Sequence, residues 1–151
     1  MLEDNMERKV KKVFKEGAID PTFIGDSIAK HQSKTDIGAH QIFLGQVRQD
    51  LINGKEVKGI EYSAYAEMAE KEFHEIRESA FSKFELSCMH IYHSLGMVKT
   101  GEISMFVFVS SPHREASNKA ILFLVEEIKA KVPIFGKEVF EDDTYVWKEN
   151  K

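Results

Sequence analysis

The run Ile103–Ser110, ISMFVFVS, is apolar on both parities. A strand with that pattern has no face to give to water, so it predicts a central strand of a sheet. The stretch that follows it, Ser110–Glu138, reads SSPHREASNKAILFLVEEIKAKVPIFGKE. Within it Ile121, Leu124, Val125 and Ile128 recur at helical spacing, which predicts a helix with one core face. Ser111 and Pro112 read as its N-cap and first-turn pair, and Pro133 closes it after Val132.

The remaining segments supply neighbours for that strand and helix. GAHQIFLGQVRQ, from Gly38, has a β-rich composition, with Ile42 and Leu44 on one parity and Phe43 and Val47 on the other. Asn53-Gly54 is a hairpin turn signal, and the return run VKGIEYSAY alternates like a half-buried antiparallel strand. From about Glu67, the residues Ala69, Phe73, Ile76, Ala80 and Phe84 trace the core stripe of a helix. LSCMHIYH alternates again, with Gly96 and Gly101 marking the turn into ISMFVFVS. A terminal pair follows: IFGKEVFE, the Asp142-Asp143 turn, and TYVWK. Hairpin, helix, hairpin, helix, hairpin predicts an α+β fold, with helices packed on a mainly antiparallel sheet.

Upstream of Gly38 the pattern is weaker. Met6, Val10, Val13 and Phe14 fit a short amphipathic helix over residues 1–15, and DPTFIGDSIAKHQS reads as a strand or turn followed by a helical turn or two. Length predicts one domain over 1–151, with 1–37 as a helical or irregular extension and 38–147 as the motif-bearing region.

Charge and cysteine usage narrow the function. A formal net charge of −4 argues against a general polyanion binder, though it leaves room for a local basic pocket. One cysteine, Cys88, allows no internal disulfide and fits a reducing cytoplasm. No window is apolar enough for a membrane span, and the charged start does not resemble a secretory signal. The sequence has no Gly-rich phosphate loop, no nucleotide fingerprint and no zinc-ligand spacing. His90 and His93 fall on opposite parities of one strand and cannot chelate together. Cys88, with no base beside it in sequence, reads as a small buried residue rather than a sulfur relay.

Candidate chemistry gathers around the long helix. A helix start carries unpaired N–H groups and partial positive charge, which suits an anion, and His113 and Arg114 add two side-chain donors there. The alternative is that both are solvent-facing first-turn residues. Lys129 and Lys131 either complement the helix C-terminus or line a pocket.

The ordered series Phe43–Gly45–Val47–Arg48, Tyr62-x-x-Tyr65-x-x-Met68-Ala69, Gly101-Glu102, His113-Arg114, Lys129-x-x-x-Pro133 and Lys137-Glu138 resembles the large, catalytic subunit of molybdopterin synthase, the MoaE family. The resemblance runs from about Gly38 to Trp147 and implies that family's α/β hammerhead fold. It also implies a sulfurtransferase that converts cyclic pyranopterin monophosphate into molybdopterin. The two dithiolene sulfurs would arrive as a thiocarboxylate on the C-terminus of a small ubiquitin-like subunit, a MoaD-like sulfur carrier. The assembly implied is a heterotetramer built on a homodimer of large subunits, with no metal or organic cofactor and no nucleic-acid or membrane partner.

By the same resemblance, Lys129 matches the lysine nearest the incoming tail and is the main catalytic candidate, with Lys137 a second. Arg48, His113 and Arg114 would bind the substrate phosphate, which guanidinium groups grip in a fork. Phe43 and Met68 would either wall the pocket or pack in the core.

Two positions depart from the family pattern. The family usually has two basic residues after the Pro-x-aromatic step, whereas here Gly136 stands between Phe135 and Lys137. A one-residue shift in an extended segment turns a side chain to the other face, so Lys137 reaches the pocket only through a bulge at Gly136. At His93-Ser94 the family commonly has His-Arg, so one cation is missing. The rival reading is a non-catalytic module that docks a ubiquitin-like protein or binds a phosphate-bearing ligand.

Overall fold

The computed structural model describes residues 12–149. Its elements are β1 (Phe14–Glu16), α1 (Pro21–His31), β2 (Ala39–Gln46), β3 (Leu51–Ile52), β4 (Lys55–Ala64), α2 (Ala66–Lys83), β5 (Cys88–Lys99), β6 (Ile103–Ser111), α3 (Arg114–Lys131), β7 (Ile134–Phe140) and β8 (Tyr145–Trp147). The strands form an eight-stranded sheet in the order β2-β6-β5-β4-β7-β8, with β1 beside β5 and β3 beside β4. Every pairing between these strands is antiparallel except β1 with β5. This is the α+β architecture that the segment pattern predicts.

β6 lies between β2 and β5, and Met105 through Val109 are all buried. Its two parities feed two cores. Met105, Val107 and Val109 join Met89 and Ile91 of β5 against Phe73 and Ile76 of α2 and Leu124 and Ile128 of α3. Phe106 and Phe108 face the other way, onto Phe23, Ile24 and Ile28 of α1. Each such fully buried side chain contributes about 1.5–3 kcal/mol relative to exposure, so β6 is the strand that fastens both layers.

Several expectations need correction. The Asn53-Gly54 turn is present, with both residues at positive φ (52° and 79°), but it joins the short β3 to β4. β2 pairs with β6 instead. Gly96 does not mark the turn into β6. It sits inside β5 at φ 83°, where that strand passes from pairing with β6 to pairing with β4, and a Cβ there would meet the Glu16 carboxylate. Gly101, at φ 87°, does lie in the turn.

The proposed helix over 1–15 lies largely outside the described residues. Its last part is β1, because Phe14–Glu16 gain a parallel ladder with His93–Leu95. The next segment is a full helix of 11 residues, since Asp20 accepts from the Thr22 N–H and Pro21 occupies the first turn.

Candidate active site

The β6–α3 connection sets the geometry of the site. Ala39 pairs with Ser111, so the start of β2, the end of β6 and the start of α3 share one end of the sheet. α3 then runs back over the sheet, and its last turn, with Lys129, arrives at the opposite end.

Three groups surround that last turn. His93 of β5 is buried, and its Nδ1 donates to the Ser94 carbonyl at 2.8 Å. Burial drives its pKa down to about 4; the Ser94 bond opposes this and the Lys129 charge adds to it. His93 is therefore a neutral imidazole at neutral pH. Tyr62 of β4 meets the His93 ring edge-on at 5.0 Å and donates through its hydroxyl to Ser104 Oγ at 3.2 Å. Burial raises its pKa, so it remains a phenol.

Lys148 is the third. Its N–H donates to the Gly136 carbonyl at 2.8 Å, which continues the β7–β8 register by one residue beyond the Lys137–Trp147 pair. Gly136 in turn pairs with Tyr62. Cross-strand partners leave a sheet on the same face, so Lys148 projects on the Tyr62 side.

Lys129 touches solvent, yet neighbouring protein desolvates its ammonium. Its pKa is lowered by that burial first and by the Lys148 charge second, while Glu126 opposes both. Two ammonium groups, a neutral imidazole and a phenol thus meet beside Gly136. Nothing in the sequence motifs pointed to Lys148. The available signal was the turn around Asp142. A two-residue Asp142-Asp143 turn would align residue 148 with residue 137, but the loop is residues 141–143, between Phe140 and Thr144, and this brings 148 opposite 136.

Lys137 does not join this cluster. β7 and β4 stay in register from Gly59 to Ala64, with no bulge at Gly136. Lys137 therefore leaves the opposite face, where its Nζ lies 4.5 Å from the Tyr145 ring centroid and 5.4 Å from that of Trp147. Gly136 has no room to do otherwise, because a Cβ there would come within 2.9 Å of Ile60 Cγ2.

The helix start forms a separate pole. His113, not Ser111, is the N-cap residue, and it makes no side-chain capping bond. Ser111 ends β6 and donates its hydroxyl to the His113 carbonyl at 2.6 Å. His113 and Arg114 are exposed at the uncapped N–H groups. Along an 18-residue helix, at ~1.5 Å rise per residue, His113 and Lys129 lie about 24 Å apart. One chain therefore does not bring the two ends of α3 into a common cavity.

Arg48 follows β2 at the Lys129 end of the sheet, since Gln46 pairs with Ile103. It is exposed and makes two 3.1 Å bonds to Asp50.

Phe43 is half-buried and packs against the α2–α3 core. Met68, 61% exposed in the first turn of α2, is outside the core. It belongs with other exposed apolar side chains: Tyr65 meets Phe135 edge-on at 5.4 Å, and Tyr145 meets Trp147 at 5.9 Å. Phe135, Lys137, Tyr145 and Trp147 share the outer face of β7 and β8.

A protein-family model described as MoaE protein matches residues 18–131. A Rattus norvegicus protein described as molybdopterin synthase catalytic subunit is 40% identical over 114 residues, 76% of this chain and 56% of the rat protein. A Taeniopygia guttata protein of the same description is 43% identical over 116 residues, 76% of this chain and 73% of its own length. The chain thus spans little more than half of the rat relative. Among solved structures, the molybdopterin synthase of Staphylococcus aureus superposes with a TM-score of 0.77 at 28% identity, covering 95% of this chain and 99% of that one. A Helicobacter pylori complex of subunits 1 and 2 of molybdopterin-converting factor has a TM-score of 0.78 at 18% identity, covering 92% and 90%, a likeness of fold. Among the described residues, no helix is long and apolar enough to cross a membrane.

Proposed function

This chain belongs to the MoaE family, and from that premise we propose that it is the large, catalytic subunit of a molybdopterin synthase. Its substrate is cyclic pyranopterin monophosphate and its sulfur donor is the thiocarboxylated C-terminus of a small ubiquitin-like subunit. The observation that carries this reading is the meeting of Lys129 and Lys148 beside neutral His93, in a chain whose relatives bear that description. Two ammonium groups attract an anionic tail, and the Lys148 charge opposes protonation of Lys129. A lysine whose pKa is lowered is suited to carry a proton at the reacting centre, or to act on the tail's carbonyl. His93, being uncharged, adds no charge of its own to the field of Lys148 and Glu126 at Lys129.

The exposed aromatic strip around Phe135, Tyr145 and Trp147 supports a docking role on the other face of β7 and β8 from this cluster. Buried aromatic anchors with a cation among them are typical of protein interfaces. The phosphate of the substrate calls for donors of the kind found at His113, Arg114 and Arg48. Because the helix start stands about 24 Å from Lys129 along α3, we assign that role to the helix start of a second copy. Each complete site then takes Lys129 from one chain and His113 and Arg114 from the other.

The test is reconstitution with thiocarboxylated small subunit and pyranopterin. Lys129→Ala is expected to keep the homodimer and the small-subunit complex while losing most product formation; wild-type turnover by that variant removes Lys129 from the mechanism. His113→Ala and Arg48→Ala are expected to weaken substrate binding more than partner binding. Tight partner binding without any turnover by the unaltered protein would favour the non-catalytic module.

A further inference from the structure

The face of the sheet turned away from Lys129 holds a second cluster, and it is chemically different. Cys88 and His90 are two residues apart on β5, so both side chains leave the face that α1 covers. The last residue of α1, His31, comes down onto them. One donor atom from each of His31, Cys88 and His90 lies within 4.8 Å of the others. His31 and Cys88 are buried and His90 is half-buried. Phe108 closes the floor, its ring 4.7 Å from that of His31 and 6.2 Å from that of His90.

The protons in this cluster can be assigned. His31 Nδ1 lies 2.7 Å from the Ser27 carbonyl, which can only accept, so Nδ1 carries the hydrogen. In the neutral ring the lone pair of His31 is then on Nε2, which points at His90 Nε2 at 3.0 Å. One proton, on His90 Nε2, joins the two rings. A backbone carbonyl holding Nδ1–H is also the arrangement that orients metal-binding imidazoles. In a tetrahedral zinc site with Zn–N of about 2.0–2.1 Å, two nitrogens stand about 3.3 Å apart, close to the spacing already present.

We propose that His31, Cys88 and His90 form a zinc site, distinct from the Lys129 cluster, with the fourth position left to water. One thiolate and two imidazoles are the borderline-soft donor set that zinc selects. On binding, the Cys88 thiol proton is released to solvent, and His90 moves its proton from Nε2 to Nδ1 so that both Nε2 lone pairs face the ion. The exposed Lys34 donates to Cys88 Sγ at 3.2 Å. It competes with the metal for sulfur and must swing away.

Sequence spacing could not show this site, because His31 stands far from the Cys88-x-His90 pair and only the packing of α1 on β5 joins them. The experiment uses full-length protein without a histidine tag, stripped by chelator and titrated with cobalt(II) as a spectroscopic stand-in for zinc. Expected are one equivalent per chain, a thiolate-to-cobalt charge-transfer band, ligand-field bands of tetrahedral intensity, and loss of all of them on adding zinc. The chain has a single cysteine, so the thiolate band reports Cys88 without any variant. Zinc should also slow alkylation of Cys88 in the unaltered protein. His90→Gln should weaken binding, and Lys34→Met should shift the titration midpoint to lower cobalt. Absence of the charge-transfer band, one ion per two chains, or an alkylation rate indifferent to zinc would each overturn the assignment.

Discussion

Lys129 and Lys148 are coupled through charge, and that coupling can be read in a pH profile. Lys148 is the second cause of the lowered Lys129 pKa, after burial. Replacing it with methionine keeps most of the packing and removes the charge, so the Lys129 pKa should rise. The limb of the pH–rate profile that belongs to Lys129 should then move to higher pH, whether the lysine acts as acid or base. An unmoved limb would place Lys148 outside the site. His93 gives a separate prediction on stability. Its folded pKa is about 4 against an ordinary 6.5, so between those values the unfolded chain takes up a proton that the native imidazole refuses. Stability should fall as pH drops through that window, by roughly 3 kcal/mol. His93→Gln should flatten that part of a urea-midpoint series against pH.

At the scale of the element, β7 explains both what the sequence disclosed and what it withheld. IFGKEVFE reads as one strand of a terminal pair, and the parity rule warns that Gly136 displaces the lysine by one residue. The outcome depended on whether the ladder bulges, which only the register with β4 decides. It does not bulge, and Gly136 is pressed against Ile60 and Tyr62. Gly136→Ala should therefore overpack that contact and cost about 1–3 kcal/mol, seen as a lower urea midpoint at unchanged slope.

The same limit applies elsewhere. β6 and α3 were legible because their apolar patterns are long, and the Asn53-Gly54 turn because both residues sit at positive φ. β2 was legible as a strand but not as the partner of β6, since pairing across 56 or more intervening residues leaves no local trace. Gly38 lies at that junction, and a Cβ there would run into the Pro112 carbonyl oxygen.

At the scale of the whole molecule, the decisive fact is that one rigid helix holds the two candidate poles apart. α3 is fixed along its length by Ala120, Leu124 and Ile128 in the core, so no bending brings His113 to Lys129. If both act on one substrate, the site is shared between two chains, and the sharing has an arithmetical consequence. A dimer of Lys129→Ala chains lacks the lysine in both sites, and a dimer of His113→Ala chains lacks the anion anchor in both. A mixed dimer concentrates both lesions in one site and leaves the other intact. Random reassortment of equal amounts of the two variants makes half the dimers mixed, so about a quarter of all sites should recover full function in a two-fold assembly. The measurement is product formation after the two inactive preparations are mixed and allowed to exchange subunits. Recovery toward that fraction supports a composite site. Activity no higher than the average of the separate variants would place His113 outside the site that contains Lys129.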